Sequence, residues 1–152
     1  MPTDTCGRIL VGIDEDPASM QAVALGAEIA RALSCQLDLL SVIDTSQLDV
    51  FDDFYRSESS LRRTLERERS ALLQSTLHRL KHPLPRYCAR LRHGDVCHIL
   101  LEEAAQSGST LLVLGKSGKS VSERVLLGSV SRAMLRKCPI PLLLVGPTQE
   151  QV

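Results

Sequence analysis

The sequence contains no tryptophan, and two phenylalanines with two tyrosines make up its whole aromatic content, 3% of 152 residues. Reading unpaired bases relies on aromatic stacking platforms, so RNA recognition is not expected. An excess of charge of one sign is also lacking, since 18 lysines and arginines balance 18 aspartates and glutamates. A net charge of zero removes the footprint of a general nucleic-acid or membrane-surface binder. The apolar runs stay far below the roughly 20 residues needed to cross a bilayer, and the opening Met-Pro-Thr-Asp-Thr-Cys has no charged-then-apolar secretion pattern. A cytoplasmic protein with no nucleic-acid or membrane partner is the expectation. The five cysteines, Cys6, Cys35, Cys88, Cys97 and Cys138, are odd in number, widely spaced and without a C-x-x-C pair. That pattern argues for free thiols and against a disulfide framework or a zinc site.

What is present suits one domain over residues 1–152, with an ordered core from about 7 to 146 and a frayed tail after Gly146-Pro147. A chain of this length buries roughly 70% of the surface it exposes when unfolded, and needs no covalent staple. Arg8 to Ile13 is a short apolar run halted by Asp14-Glu-Asp-Pro17, a strand followed by an acidic turn. Met20, Val23, Ala24, Ala27, Ala30 and Leu33 then recur at three-and-four spacing as one helical face, with Ser19 as the N-cap. Gln36 to Ile43 is almost continuously apolar, as in a strand covered on both faces. Residues 44–57 mix aspartates with Val50, Phe51, Phe54 and Tyr55 and suit a mobile connection.

Leu61, Leu65, Leu72, Leu77 and Leu80 mark a long amphipathic helix stopped by Pro83, and its charged run from Arg62 to Arg69 reads as a solvated face. Tyr87, Ala89 and Leu91 alternate with Cys88, Arg90 and Arg92, the two-residue period of a strand with one wetter face near a sheet edge. Asp95 is placed to cap a helix carrying Val96, Ile99, Leu100 and Ala104, which Ser107-Gly108-Ser109 ends. Thr110 to Leu114 reads as a fourth strand, Val130 to Cys138 as a helix and Pro141 to Val145 as a last strand. Strands separated by helices cannot be hairpins, so the fold class is α/β, a doubly wound and mainly parallel sheet with helices on both faces.

Open parallel sheets bind ligands beyond the carboxyl ends of their strands. There the loop after the fourth strand reads Gly115-Lys-Ser-Gly118-Lys-Ser-Val-Ser-Glu-Arg-Val-Leu-Leu-Gly128-Ser129. Glycines let main-chain N–H groups approach an anion, and a helix starting near Ser129 presents unpaired donors and the positive end of its dipole. A P-loop would need a glycine five residues before Gly118, where Val113 stands, and no G-x-G-x-x-G is present. Ser120-x-x-Glu123 is a capping box that would start a short helix inside the loop, ended by Gly128.

The spacing Gly115-x-x-Gly118, nine residues, Gly128-Ser129 resembles the ATP-binding signature of the universal stress protein family. The resemblance extends to Ile9-Leu-Val-Gly-Ile-Asp14, Ser41-Val-Ile-Asp44, Arg92-His-Gly94-Asp95, Leu111-Leu-Val-Leu-Gly115 and Pro139-Ile-Pro-Leu-Leu-Leu-Val145, in the family's order. It implies an adenine nucleotide hydrolase-like sheet of five parallel strands in the order 3-2-1-4-5. In that arrangement Gly12, Ile13 and Asp14 line the nucleotide, Asp14 takes ribose hydroxyls, and the main chain at Val42 reads the adenine edge. Gly115, Gly118, Gly128, Ser129 and Val130 hold phosphates through N–H groups, helped by the Ser129 hydroxyl. The resemblance further implies a homodimer through the final strand, whose apolar edge, Pro141 to Val145, would invite a second copy.

Two departures bear on the chemistry. Asp16 stands where family members often carry serine, and Asp14, Glu15 and Asp16 together would repel a triphosphate unless Mg²⁺ or Mn²⁺ intervenes or some of them point away. Lys116 and Lys119 add positive charge beside the glycines. No base and nucleophile can be paired by spacing: His78 and His82 lack the glutamate of H-E-x-x-H, and no serine lies in a G-x-S-x-G elbow. The expected function is a stress-response or signalling module governed by ATP occupancy, with hydrolysis slow or absent. The alternative is an enzyme that cleaves or transfers phosphate or adenylate from ATP.

Overall fold

The computed structural model describes residues 7–45, 55–84, 86–116 and 128–146, with side chains of the long second helix described from Ser60 onward. Gly118, Lys119, the capping box at Ser120, Cys6 and the expected tail lie outside the described residues, as does most of the connection assigned to 44–57. In chain order the elements are β1 (Arg8–Ile13), α1 (Pro17–Leu33), β2 (Gln36–Asp44), α2 (Tyr55–Arg79) and β3 (Tyr87–Gly94). They continue with α3 (Val96–Gln106), β4 (Ser109–Gly115), α4 (Ser129–Lys137) and β5 (Leu142–Val145). The strands form a five-stranded sheet ordered β3-β2-β1-β4-β5, and every pairing is parallel.

Side chains alternate across a strand, which divides the core into two layers. Ile9, Val11 and Ile13 of β1 face α1 and α2 together with Leu37, Leu39 and Val113. Leu10, Leu40, Val42, Leu112 and Leu114 face α3 and α4. This double coverage explains why β1, β2 and β4 read as nearly unbroken apolar runs. β3 lies at one edge, as its alternation predicts, but its arginine face is not simply wetted. Arg90 Nη2 lies 2.6 Å from Glu103 Oε2 on α3, and Arg92 Nη1 donates to Glu103 Oε1 at 2.9 Å. Arg90 and Arg8 also flank the buried Asp38 at 3.9 and 3.6 Å.

Helix starts follow local chemistry. Asp95 caps α3 by accepting from the His98 amide at 2.8 Å, as expected. For α1 the expected N-cap Ser19 is incorrect: Asp16 caps the helix by accepting from Ala18 N–H at 2.9 Å, and Pro17 occupies the first turn, where its missing N–H costs nothing. Ser19 is thereby drawn inside the helix and buried. Of the predicted α1 face, Val23, Ala27 and Ala30 are buried, Met20 is half-buried, and Ala24 and Leu33 are exposed; Ala22 and Gly26 complete the buried stripe. A side chain on Gly26 would meet Val11 Cγ2 at 2.7 Å, so small residues let this helix press close to β1. α2 begins at Tyr55, which corrects the end of the expected connection at 57: residues 55–57 are already helical.

Candidate functional site

A cavity of about 350 Å³ opens at the carboxyl edge of the sheet, where β1 lies between β2 and β4. The chain leaves β1 for α1 on one face and enters β4 from α3 on the other, so this is the point where winding reverses. Leu40, Val42, Leu100, Leu114 and Val96 form aliphatic walls. The volume falls within the range of small-molecule sites, about 300–1,000 Å³.

The acidic turn after β1 supplies one polar wall. Asp14 N–H donates to Ser19 Oγ at 3.0 Å, and the Ser19 hydroxyl donates back to Asp14 Oδ1 at 2.5 Å. Asp16 N–H donates to the same Oδ1 at 2.8 Å. These bonds fix the Asp14 carboxylate through Oδ1 and leave Oδ2 to accept from a hydroxyl in the cavity. Of the three neighbouring carboxylates only Asp14 lines it, because Asp16 is spent on the helix cap and Glu15 is not part of the wall. The expected crowding of three negative charges is thereby reduced, although Asp44 at the end of β2 adds one.

The opposite wall is the start of α4. Gly128 is its N-cap, with no side-chain cap, and Arg132 N–H makes the first helical bond to Gly128 O at 3.0 Å. The amides of Ser129, Val130 and Ser131 therefore have no acceptor within the helix, and all three residues line the cavity. Ser129 is the first residue of the helix and does not cap it. Three N–H groups without a helical acceptor and the positive end of the dipole suit an anion.

Gly12, Ile13, Asp14, Val42, Gly115, Gly128, Ser129 and Val130, all singled out from sequence, thus line one cavity. The β1–β2 ladder ends at Ile13↔Ser41, one residue short of Val42. Gly115 is needed for a close approach: a Cβ there would fall 2.5–2.7 Å from the Ala18 carbonyl and the Ser19 nitrogen. Lys116 is not brought to the wall, and its N–H donates to Val145 O at 2.7 Å, tying β4 to β5. Gly118 lies outside the described residues.

Sequence reasoning missed Ser19, Asp44, Ser131 and Arg69 as wall residues. Arg69 is half-buried, its Nη1 is buried with no hydrogen-bond partner, and an orphaned donor of this kind costs about 1–3 kcal/mol. Helical phase could have found it, because Leu73 and Thr76, four and seven residues on, are the buried side chains of α2. The histidines stand apart from the cavity wall, His93 Nε2 lying 3.1 Å from Glu66 Oε1. Among the described residues no group of three or more His, Cys, Asp or Glu side chains could hold a metal ion. A divalent ion here would have to draw most of its ligands from phosphate oxygens and water, as Mg²⁺ commonly does. No helix among the described residues is long and apolar enough to cross a membrane.

Comparison with known proteins places this geometry in a wider set. A family model described as "Universal stress protein family" matches residues 6–146. The chain is 30% identical over 139 residues to universal stress protein A homolog 1 of Coxiella burnetii, covering 91% of this chain and 94% of the relative. Among solved structures it is similar to a protein from the universal stress protein family from Burkholderia pseudomallei, with TM-score 0.73 and 23% identity over 95% of this chain and 98% of the other. It is also similar to a universal stress protein in complex with cAMP, with TM-score 0.61 and 24% identity over 94% and 98% of the two chains.

Proposed function

The chain belongs to the universal stress protein family, and from that premise we propose that it is an ATP-binding stress-response or signalling module. The observation that carries this reading is the placement, across one aliphatic cavity, of the Asp14 carboxylate opposite the amides of Ser129, Val130 and Ser131, which have no acceptor within their helix. The carboxylate accepts ribose hydroxyls, the aliphatic walls cover the base, and the amides with Gly128 receive phosphate oxygens. Gly118 would join the phosphate end, and Mg²⁺ or Mn²⁺ held mainly by phosphate oxygens would offset the charges of Asp14 and Asp44. The neighbour solved with cAMP supports an adenine nucleotide as the ligand class. The hydroxyl–carboxylate pair of Ser19 and Asp14 on the described wall is tied up inside the acidic turn, where the hydroxyl also accepts from Asp14 N–H and holds the carboxylate in place, which favours binding with slow or absent hydrolysis. We further propose a cytoplasmic homodimer joined through β5, the short edge strand of the sheet.

Ligand binding to the folded state alone stabilises it by about 2.7 kcal/mol at a hundred times Kd. A melting titration with ATP and Mg²⁺, run beside a phosphate-release assay, is therefore expected to raise Tm by several degrees without stoichiometric turnover. No shift at millimolar ATP with either Mg²⁺ or Mn²⁺ would refute nucleotide binding, and rapid multiple turnover would refute the module in favour of an enzyme.

A further inference from the structure

Arg69 occupies a place that the rest of α2 reserves for its inner face. Leu73 and Thr76, one and two turns further on, are buried, whereas Arg62, Arg63 and Arg67 of the same charged run are exposed. Because α2 connects two parallel strands, it runs antiparallel to them, and helical side chains lean toward the helix N-terminus. The Arg69 guanidinium is thus carried up to the carboxyl edge of the sheet, where it is the one cationic side chain among the described cavity-lining residues. Its Nη1 is buried without a hydrogen-bond partner, and Arg69 makes no ion pair among the described residues. α2 belongs to the layer that packs with α1, and α4 to the layer that packs with α3. The cavity therefore has two anion-receptive groups that approach from opposite faces of the sheet, with Asp14 and Asp44 also on its wall.

We propose that Arg69 is a specificity-determining residue that forms a second anion subsite at the nucleoside end of the cavity. The preferred ligand is then an adenine nucleotide carrying a phosphate on a ribose 2′ or 3′ oxygen in addition to its 5′-phosphate. Ribose hydroxyls are donors and are matched by the carboxylate of Asp14; a guanidinium fork with an unused donor is matched by phosphate oxygens. The inference rests on the nucleotide-binding reading above and goes beyond it by naming the substituent that is read.

The test is calorimetric titration of the full chain with adenosine 5′-monophosphate and with the 3′,5′- and 2′,5′-bisphosphates. The wild-type protein is expected to bind one bisphosphate at least about tenfold more tightly than the monophosphate, as a charge-assisted bidentate contact allows. Arg69→Gln should bring that ratio close to one, and Arg69→Lys should leave it between the two, because lysine keeps the charge but loses the fork. Circular dichroism checks folding, and should Arg69→Gln not fold, a reduced ratio in Arg69→Lys carries the test. Equal wild-type affinities overturn the inference while leaving nucleotide binding intact. A ratio unchanged in the variants, including uniform weakening of all three ligands, also overturns it and makes Arg69 a mere counter-charge to Asp14 and Asp44. Binding of none of the three refutes the nucleotide reading and the inference with it.

Discussion

Gly115→Ala probes the seam between scaffold and site. The added Cβ would lie 2.5 Å from the Ala18 carbonyl carbon, 2.6 Å from its oxygen and 2.7 Å from the Ser19 nitrogen. All three atoms are backbone, in a helical turn pinned by the Asp16 cap at 2.9 Å and by the Ser19–Asp14 hydroxyl bond at 2.5 Å. No rotamer change can relieve the contact, so α1 must move away from β4 by close to an ångström. Such overpacking costs about 1–3 kcal/mol, and the reduced entropy of the unfolded chain returns about 0.4–1 kcal/mol. A net loss of about 1–2 kcal/mol lowers Tm by roughly 2–8 °C in a chain of this size. The displacement also shifts Ser19 and Asp14, so nucleotide affinity should fall together with stability. Gly146→Ala is the control: its Cβ meets nothing within 4 Å, and its backbone is not left-handed. Urea and thermal denaturation of both variants, followed by circular dichroism, give the comparison. If Gly115→Ala melts with the wild type and retains its affinity, α1 does not rest on β4 as described.

Glu103→Ala removes the carboxylate that Arg90 and Arg92 share at the junction of β3 and α3, leaving Asp38 and Glu102 as their remaining partners. Breaking a buried pair costs about 3–5 kcal/mol, but both arginines are more than a third exposed or nearly so, at 37% and 34%; solvent screening reduces the expected loss to about 2 kcal/mol. A urea midpoint that moves by less than the equivalent of about 0.5 kcal/mol, the scale of ordinary surface substitutions, would contradict this. The Cys97 thiol is pushed up chiefly by burial and next by Asp95. Its folded form keeps the proton to higher pH than the unfolded one, so its stabilising contribution is complete below the unfolded pKa, about 8.5, and declines as pH rises above it. Iodoacetamide labelling near that pH, read by mass spectrometry, should modify Cys97 more slowly in the folded chain than in urea, and equal rates would contradict the assignment.

Much of the fold was legible because its strands are covered on both faces: β1, β2 and β4 stand out as apolar runs, and the turn at Asp14 and the cap at Asp95 follow from local chemistry. The start of α1 was misread because Asp16 and Ser19 are both competent caps, and Pro17 decides between them in favour of Asp16. Its inner face was legible at Val23, Ala27 and Ala30 but blurred at Ala24, which is exposed, and Ala22, which is buried, because alanine occupies both sides of this helix and carries little phase information. Asp38 passed unremarked inside an apolar strand, since the arginines that accompany it come from positions remote in sequence. The main-chain half of the site was readable from glycine spacing and the acidic turn. Arg69 was not, because a run of charges conceals the one member whose helical phase turns it inward.

The position of β1 has a mechanical consequence for the ligand chamber. This strand is hydrogen-bonded on both sides and sealed above and below, so its local opening should approach the cost of global unfolding. Asp14, its immediate continuation, inherits that stiffness, while Arg69 is delivered by a helix that packs on one face only, through Leu72, Leu73, Thr76 and Leu77. A guest entering there would meet one unyielding jaw and one compliant jaw, and the energy of seating it would be felt mainly by α2.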